Sequence, residues 1–151
     1  MIDRSVVGRE TASEVVTVER SRVRLFAQLL GYPRDGVHRD LAAARAAGHP
    51  DLVVPPTYLA GLETETGAIY RTLDDVGVDL ATVLNGEQHF TYHCTLHAGD
   101  EIVFTTRVAD VYARGEGRLE FLVRETAVTR SGEPVAELRN TVVVVNAEVS
   151  A

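Results

Sequence analysis

The fold of this chain is decided by residues 22–59, RVRLFAQLLGYPRDGVHRDLAAARAAGHPDLVVPPTYL. This stretch combines a helical pattern, an irregular loop, a short alanine-rich segment and a Pro-Pro corner. The loop carries Asp35, His38 and Asp40 between two apolar helical segments. A long, partly charged connection inside a small β-rich domain usually serves function, so the stretch is the first place to look for a site.

Local signals place the ends of the first two helices. Apolar residues recur with helical spacing from Glu19 onward. Gly31 ends this helix because glycine suits a left-handed C-cap and the following Tyr-Pro cannot continue the ladder. Asp40 is placed to cap the alanine-rich helix through its carboxylate.

Thr57 is the predicted N-cap of a third helix over residues 58–72, which Gly67 interrupts. Strands are expected in the rest of the chain, with tight turns that indicate antiparallel pairing. Their predicted ranges are Ser13–Val18, Val83–Leu96, Glu101–Ala113, Arg118–Thr129 and Pro134–Asn146. Helices followed by long antiparallel strands predict a single α+β domain over residues 1–151, with a sheet wrapped around one helix. The apolar run 141–145 predicts a strand that is central in the sheet or buried on both faces.

Composition limits the classes of function. The chain has 151 residues and a net charge of -7, with no basic stripe, which argues against nucleic-acid binding. Cys94 is the only cysteine, which excludes an intrachain disulfide and thiolate-based metal sites. No apolar run approaches the length of a membrane span, and the N-terminus lacks a signal-peptide core. The sequence predicts a cytoplasmic protein without a membrane partner.

Three histidines, His89, His93 and His97, fall on one face of the predicted second strand. Same-face residues four apart on a strand are separated by roughly 13 Å, which is too far to share one ion. No metal site is therefore predicted, and solvent-facing or cross-strand roles are expected for these side chains.

His38 has two interpretations, both based on its neighbours Asp35 and Asp40. The imidazole could pack against the alanine-rich helix while the aspartates accept bonds from backbone amides. Alternatively, His38 is a general acid or base in a cleft, paired with a carboxylate.

The segment resembles the active-site stretch of the MaoC-like hotdog-fold hydratases and dehydratases. The pattern of that family begins with Phe-Ala, Gly-Asp, Asn-Pro and His-x-Asp. An alanine-rich helix, a Gly and a Pro-Gly corner follow. The matching positions are Phe26, Ala27, Gly31, His38, Asp40, Ala42–Gly48 and Pro55. Downstream, LNGEQHFTYHCTLHAGDEI at residues 84–102 resembles the strand and Ala-Gly-Asp turn that follow the hotdog helix. The segment HPDLVVPPT at residues 49–57 is most similar to N-terminal MaoC-like domains. This subgroup includes accessory subunits of the (3R)-hydroxyacyl-carrier-protein dehydratases of mycolic-acid synthesis.

The chain departs from the family pattern at three points. Tyr32 follows Gly31 where the family has its catalytic Asp, and the Asn-Pro pair is missing. Pro56 replaces the corner glycine and has no N–H, so the nearest oxyanion donor is the Thr57 amide at the start of the third helix.

The resemblance implies a single hotdog domain, an overlay helix-loop segment and reversible syn hydration of a trans-2-enoyl thioester without a cofactor. In that reaction one group activates water and the thioester carbonyl is polarised by a backbone amide. The implied catalytic residues are His38 as base with Asp35 or Asp40 as partner or acid. The implied substrate-binding residues are Thr57, Tyr32 and Tyr58.

Three functions are compatible with these departures. The chain is a hydratase or dehydratase for acyl or polyketide thioesters, a catalytically silent subunit of an intact MaoC-like partner, or a recruited tailoring enzyme such as a cyclase. The expected partners are an acyl-CoA or acyl-carrier-protein substrate and a second hotdog chain. A homodimer or heterodimer is predicted because edge-to-edge pairing hides the sheet edge.

Overall fold

The computed structural model describes residues 1–11 and 13–146. Four helices precede the main strands: α1 (Arg20–Leu29), α2 (Leu41–Ala46), α3 (Tyr58–Glu65) and α4 (Ala68–Asp75). The strands are β1 (Glu14–Thr17), β2 (Val83–Tyr92), β3 (Glu101–Arg114), β4 (Leu119–Arg130) and β5 (Glu133–Val145). Within the described residues, no helix is long and apolar enough to cross a membrane.

The strands form one antiparallel sheet in the order β1-β3-β4-β5-β2. β4 lies in the centre, and β5 lies between β4 and β2, so residues 141–145 belong to an interior strand but not to the central one. Val145 is exposed, so this run is not buried on both faces along its whole length. β1 and β2 are the edges of the sheet. The sheet and the helices packed on one of its faces confirm the predicted α+β hotdog architecture.

The third helix is two helices rather than one. Gly67 has a φ of +76° and separates α3 from α4. A residue with a side chain is strained in this left-handed conformation, so glycine fits the break. The predicted interruption of this helix at Gly67 is therefore confirmed, and helical structure continues beyond residue 72 to Asp75.

β2 is shorter than predicted and ends at Tyr92. His93 and His97 therefore lie beyond the strand, and the predicted row of three histidines on one strand face is wrong. His97 instead contacts His49 at the end of the α2 loop, with Nε2 3.1 Å from His49 Nδ1. Burial lowers the pKa of His97, and the neighbouring Asp100 carboxylate opposes part of this effect.

Two apolar clusters fill the space between helices and sheet. The first joins α1, α2 and α3 to the sheet and contains Leu59 and Phe104. The second joins α4 to the opposite end of the strands and contains Leu73 and Leu122. A buried polar layer around Arg124 lies between Leu122 and the first cluster along the inward face of β4.

Candidate functional site

The loop that carries His38 is fastened at both ends. Gly31, at φ +80°, turns the chain out of α1, and the Tyr32 amide donates to the Ala27 carbonyl at 3.0 Å. Arg39 spans the loop by donating to the Tyr32 carbonyl at 2.9 Å. Arg24 of α1 donates to the Arg39 carbonyl at 3.0 Å. These bonds hold the loop against α1 without a regular element.

His38 is oriented by the backbone. Its Nδ1 lies 2.7 Å from the Val53 carbonyl oxygen. Because a carbonyl only accepts, Nδ1 carries the proton, and the neutral imidazole keeps its lone pair on Nε2. The Tyr32 ring packs edge-on against the imidazole with 4.4 Å between ring centroids. The arrangement leaves one ring nitrogen able to accept a proton.

His38 opens onto a cleft of about 440 Å³ between the loop, the Pro-Pro corner and the end of β2. Both polar and apolar side chains line it. The lining residues are Tyr32, His38, Val53, Val54, Pro56, Tyr92, His93, Cys94, Thr95 and Leu96. The structure therefore brings Tyr32 and His38 together in one cleft, as predicted from the sequence.

The two aspartates are placed differently from His38. Asp40 caps α2, with its Oδ1 accepting from the Ala43 amide at 2.7 Å, so the predicted cap is confirmed. Asp35 is exposed in the loop. Among the bonds and ion pairs of residues 1–11 and 13–146, none joins His38 to either carboxylate. The predicted pairing of His38 with Asp35 or Asp40 is not formed in this chain.

Tyr58 does not line the cleft. Its side chain is buried in the first apolar cluster and meets the Phe26 ring edge-on, with 5.3 Å between centroids. Burial raises the pKa of its phenol. Tyr58 therefore belongs to the core and not to the wall of the cleft, because the first position of α3 faces the core.

Thr57 is exposed at the start of α3, beside the cleft residue Pro56. It occupies the predicted N-cap position, but its side chain makes no capping bond. Its backbone N–H has no hydrogen-bond acceptor among the described residues. This N–H is therefore available at the positive end of the helix dipole.

The end of β2 supplies cleft residues that the sequence did not indicate. Tyr92 donates its hydroxyl to the Pro56 carbonyl, and loss of hydration raises its pKa to about 12. His93 Nε2 lies 3.2 Å from a Glu137 oxygen. Cys94 Sγ lies 3.7 Å from Arg130 Nη2. Because β2 ends at Tyr92, His93 and Cys94 leave the strand, and they line the same cleft as His38.

The side chains of the cleft fit acid-base chemistry on a small organic group. Among the described residues, no cluster of three or more His, Cys, Asp or Glu side chains is placed to hold a metal ion. A base with a fixed tautomer and a nearby free amide N–H are two of the elements that reactions at thioester carbonyls require.

Comparison with known proteins decides the family. The family described as "FAS1-like, dehydratase domain region" matches residues 5–138. The chain belongs to this family. A UPF0336 protein of Parafrankia sp. is 40% identical over 147 residues, covering 90% of this chain and 89% of the relative. A UPF0336 protein of Saccharopolyspora erythraea is 34% identical over 143 residues, covering 94% and 90% of the two chains.

Solved structures of MaoC-like proteins share the fold. The HadBC (3R-hydroxyacyl-ACP dehydratase) complex from Mycobacterium tuberculosis aligns with a TM-score of 0.79 at 23% identity, over 91% of this chain and 96% of that one. The ChsH1-ChsH2 complex from the same organism gives a TM-score of 0.67 at 22% identity, over 94% and 92%. A MaoC-like dehydratase gives 0.77 at 28% identity, over 95% of this chain and 43% of that one. These similarities show that the chain has the same fold as these proteins.

Proposed function

We propose that this chain takes part in the reversible hydration of a trans-2-enoyl thioester to a (3R)-hydroxyacyl thioester, as one subunit of a MaoC-like dimer. The acyl group is carried by coenzyme A or acyl-carrier protein, and the reaction needs no cofactor. The observation that carries the proposal is the orientation of His38, whose Nδ1 is held 2.7 Å from the Val53 carbonyl so that Nε2 serves the cleft.

In the hydration direction, His38 Nε2 takes a proton from water while the water oxygen bonds to C3 of the enoyl group. As the water oxygen bonds to C3, the C2–C3 π electrons move onto the thioester oxygen, where negative charge develops. C2 then takes a proton from the acid that the paired subunit supplies, and the proton held on His38 Nε2 returns to that acid, so that both groups end as they began. The Thr57 N–H at the start of α3 is the donor that stabilises this charge. The Tyr32 ring packs edge-on against the His38 imidazole and borders the space for the acyl group.

The proposal includes a partner because the acid-base set of this chain lacks a carboxylate at His38. Asp40 is occupied as a helix cap and Asp35 is exposed. A second MaoC-like chain paired with this one would complete the set. The complexes of two MaoC-like subunits among the structural relatives support such pairing.

The same observation favours a second candidate function. With no described contact between His38 and a carboxylate, this chain could be a catalytically silent subunit that shapes the acyl channel of an intact partner. In that case the partner holds the whole acid-base pair, and His38 has only a packing role.

The two candidates are separated by a hydration assay on enoyl thioesters, with the chain alone and copurified with a MaoC-like partner from its own genome. We expect turnover with the partner, and loss of turnover by about 100-fold or more in a complex carrying His38→Ala. His89→Ala is the matched control, since His89 is exposed on β2 and is not among the cleft residues. Full activity of the His38→Ala complex would support the silent subunit, and no turnover in either format would refute both candidates.

A further inference from the structure

Two histidines that do not line the His38 cleft contact each other and are called the imidazole pair below. His49 lies in the loop after α2, and His97 lies in the turn between β2 and β3. His49 Nδ1 is 3.1 Å from His97 Nε2, and both side chains are partly buried. A hydrogen bond between two ring nitrogens needs one nitrogen that carries a hydrogen and one that accepts it. The contact is therefore lost when both of these nitrogens are protonated.

The backbone beside the imidazole pair carries the acceptor that orients His38. Val53 and His97 face each other in an isolated antiparallel bridge. The flanking backbone bonds, each 2.9 Å long, run from the Ala98 amide to the Leu52 carbonyl and from the Val54 amide to the Leu96 carbonyl. Val53 also supplies the carbonyl oxygen that lies 2.7 Å from His38 Nδ1. The orientation of His38 therefore depends on how residues 52–54 lie against residues 96–98.

The turn that carries His97 is fixed to the sheet independently of the imidazole pair. Asp100 Oδ2 accepts from the His97 amide at 2.9 Å and from Arg130 Nη1 of β4 at 2.6 Å. On the other side, the His49 amide donates to the Ala44 carbonyl of α2 at 2.9 Å, and the His49 imidazole reaches across to the turn. Loss of the pair therefore loosens the segment that carries Val53, while the turn keeps its bonds to the sheet.

The charged groups around the imidazole pair leave no carboxylate free to balance two positive imidazoles. They are Asp51 paired with Arg20 of α1, Asp100 paired with Arg130 of β4, and Arg45 at the end of α2. Burial lowers the pKa of His97, and the positive charges of His49 and Arg130 oppose its protonation further. Because this pKa is lowered, the stability that the pair contributes is fully present above about pH 6.5 and is lost as the pH falls through the lowered pKa.

We propose that His49 and His97 are positioning residues for His38, because their contact keeps Val53 against the turn and keeps its carbonyl within reach of His38 Nδ1. Acid that protonates both facing nitrogens separates the pair, and the His38 imidazole then loses its fixed orientation. The inference rests on the proposed function for the role of His38 as a base. It adds a second acid-sensitive event to the reaction, besides the protonation of His38 itself.

The first test follows the backbone bonds directly and needs no turnover. This chain is isotope-labelled and studied by NMR in the paired complex with its MaoC-like partner. Hydrogen exchange of the Val54 and Ala98 amides is measured from about pH 8 to about pH 5.5, a range that spans histidine ionisation. After correction for the intrinsic exchange rate, protection of both amides is expected to fall about tenfold on acidification, while the amides of β4 keep theirs.

The matched variant is His97→Gln, whose side-chain amide can donate or accept a hydrogen bond but does not titrate. We expect the protection of Val54 and Ala98 in this variant to stay constant with pH. His49→Asn makes the same change on the other side of the pair, so the test stands even if one variant fails to fold. His89→Gln is the control, since His89 is exposed on β2, and it is expected to behave as the wild type.

The pH dependence of hydration by the same complexes is the second readout. The wild-type rate is expected to fall on acidification with a slope of more than one proton, because His38 and the imidazole pair are both protonated. The His97→Gln rate is expected to fall with the slope of a single proton, which is that of His38. A residue with a purely structural role would not change this slope.

Protection of Val54 and Ala98 that stays constant with pH in the wild type would overturn the inference, as would an equal fall in His97→Gln. A loss of protection that His97→Gln abolishes, combined with no hydration activity, would refute the proposed function and leave the acid-sensitive anchoring of Val53 intact. Hydration with a single-proton slope in both the wild type and His97→Gln would do the reverse.

Discussion

The His38 cleft and the buried ion pair between Arg124 and Glu63 hold their polar groups in different ways. His38 is fixed by one bond to the Val53 carbonyl and by a loop fastened through nearby backbone bonds. Arg124 and Glu63 are fixed by each other across 61 residues of chain and are almost completely buried. The His38 loop is held by contacts between residues that are close in sequence. The pairing of Arg124 with Glu63 depends instead on how α3 packs on the whole sheet.

This difference predicts that substitutions in the cleft and in the buried ion pair have different effects. Removing a polar group from the cleft removes chemistry and leaves the fold intact, because the group is partly solvated and the loop has other bonds. Removing either Arg124 or Glu63 leaves the other charge buried without a partner, which destabilises the fold directly.

The largest effect is expected for Arg124→Met, which isolates the Glu63 carboxylate. We expect a loss of about 3–5 kcal/mol in the free energy of unfolding, measured by urea denaturation. The double variant with Glu63→Leu is expected to recover most of that loss, since two apolar side chains of similar size need no partner. Equal losses in the single and double variants would contradict the uncompensated-charge explanation.

A smaller effect is expected at Asp40, where the carboxylate caps α2 through the Ala43 amide. Asp40→Ala should lower the free energy of unfolding by about 1 kcal/mol, whereas Asp40→Asn should keep the wild-type value because Asn caps equally well. Hydration assays on Asp40→Asn provide the sharper comparison. Retained activity indicates a cap, and lost activity at wild-type stability indicates the acid-base role implied by the family resemblance.

The smallest effect concerns the Tyr92 hydroxyl, which donates to the Pro56 carbonyl and has a pKa of about 12. An ordinary tyrosine ionises near pH 10. Stability from this hydroxyl is therefore fully present below pH 10 and is lost as the pH rises through about 12. Ultraviolet titration of wild type against Tyr92→Phe should show one late-ionising phenol in the difference, and a difference centred near pH 10 would contradict the raised pKa of Tyr92.

The local signals in the sequence were sufficient for much of the fold. Gly31 ends α1, Asp40 caps α2, and the turn residues between strands give an antiparallel sheet with β5 inside. These features depend on neighbours within a few residues, where backbone preference and capping determine the outcome. His38 and Tyr32 meet in one cleft for the same reason, because they belong to one short loop.

The buried pair of Arg124 and Glu63 could not be predicted in the same way. β4 alternates clearly, but its inward face is the one that carries Glu120 and Arg124 rather than Phe121. Charged side chains are rarely buried unless they are paired, and pairing with Glu63 depends on the packing of α3 on the sheet. Tyr58 was misplaced because the start of a helix beside a cleft can face either the cleft or the core.

The central claim is that His38 is the base of an acyl-thioester hydratase, and it is tested most directly by His38→Gln. Glutamine keeps a donor for the Val53 carbonyl but provides no imidazole base. The initial rate of enoyl-thioester hydration by the paired complex should fall by about 100-fold or more relative to wild type. A rate equal to that of the wild-type complex would contradict the claim and assign the chemistry to the partner chain alone.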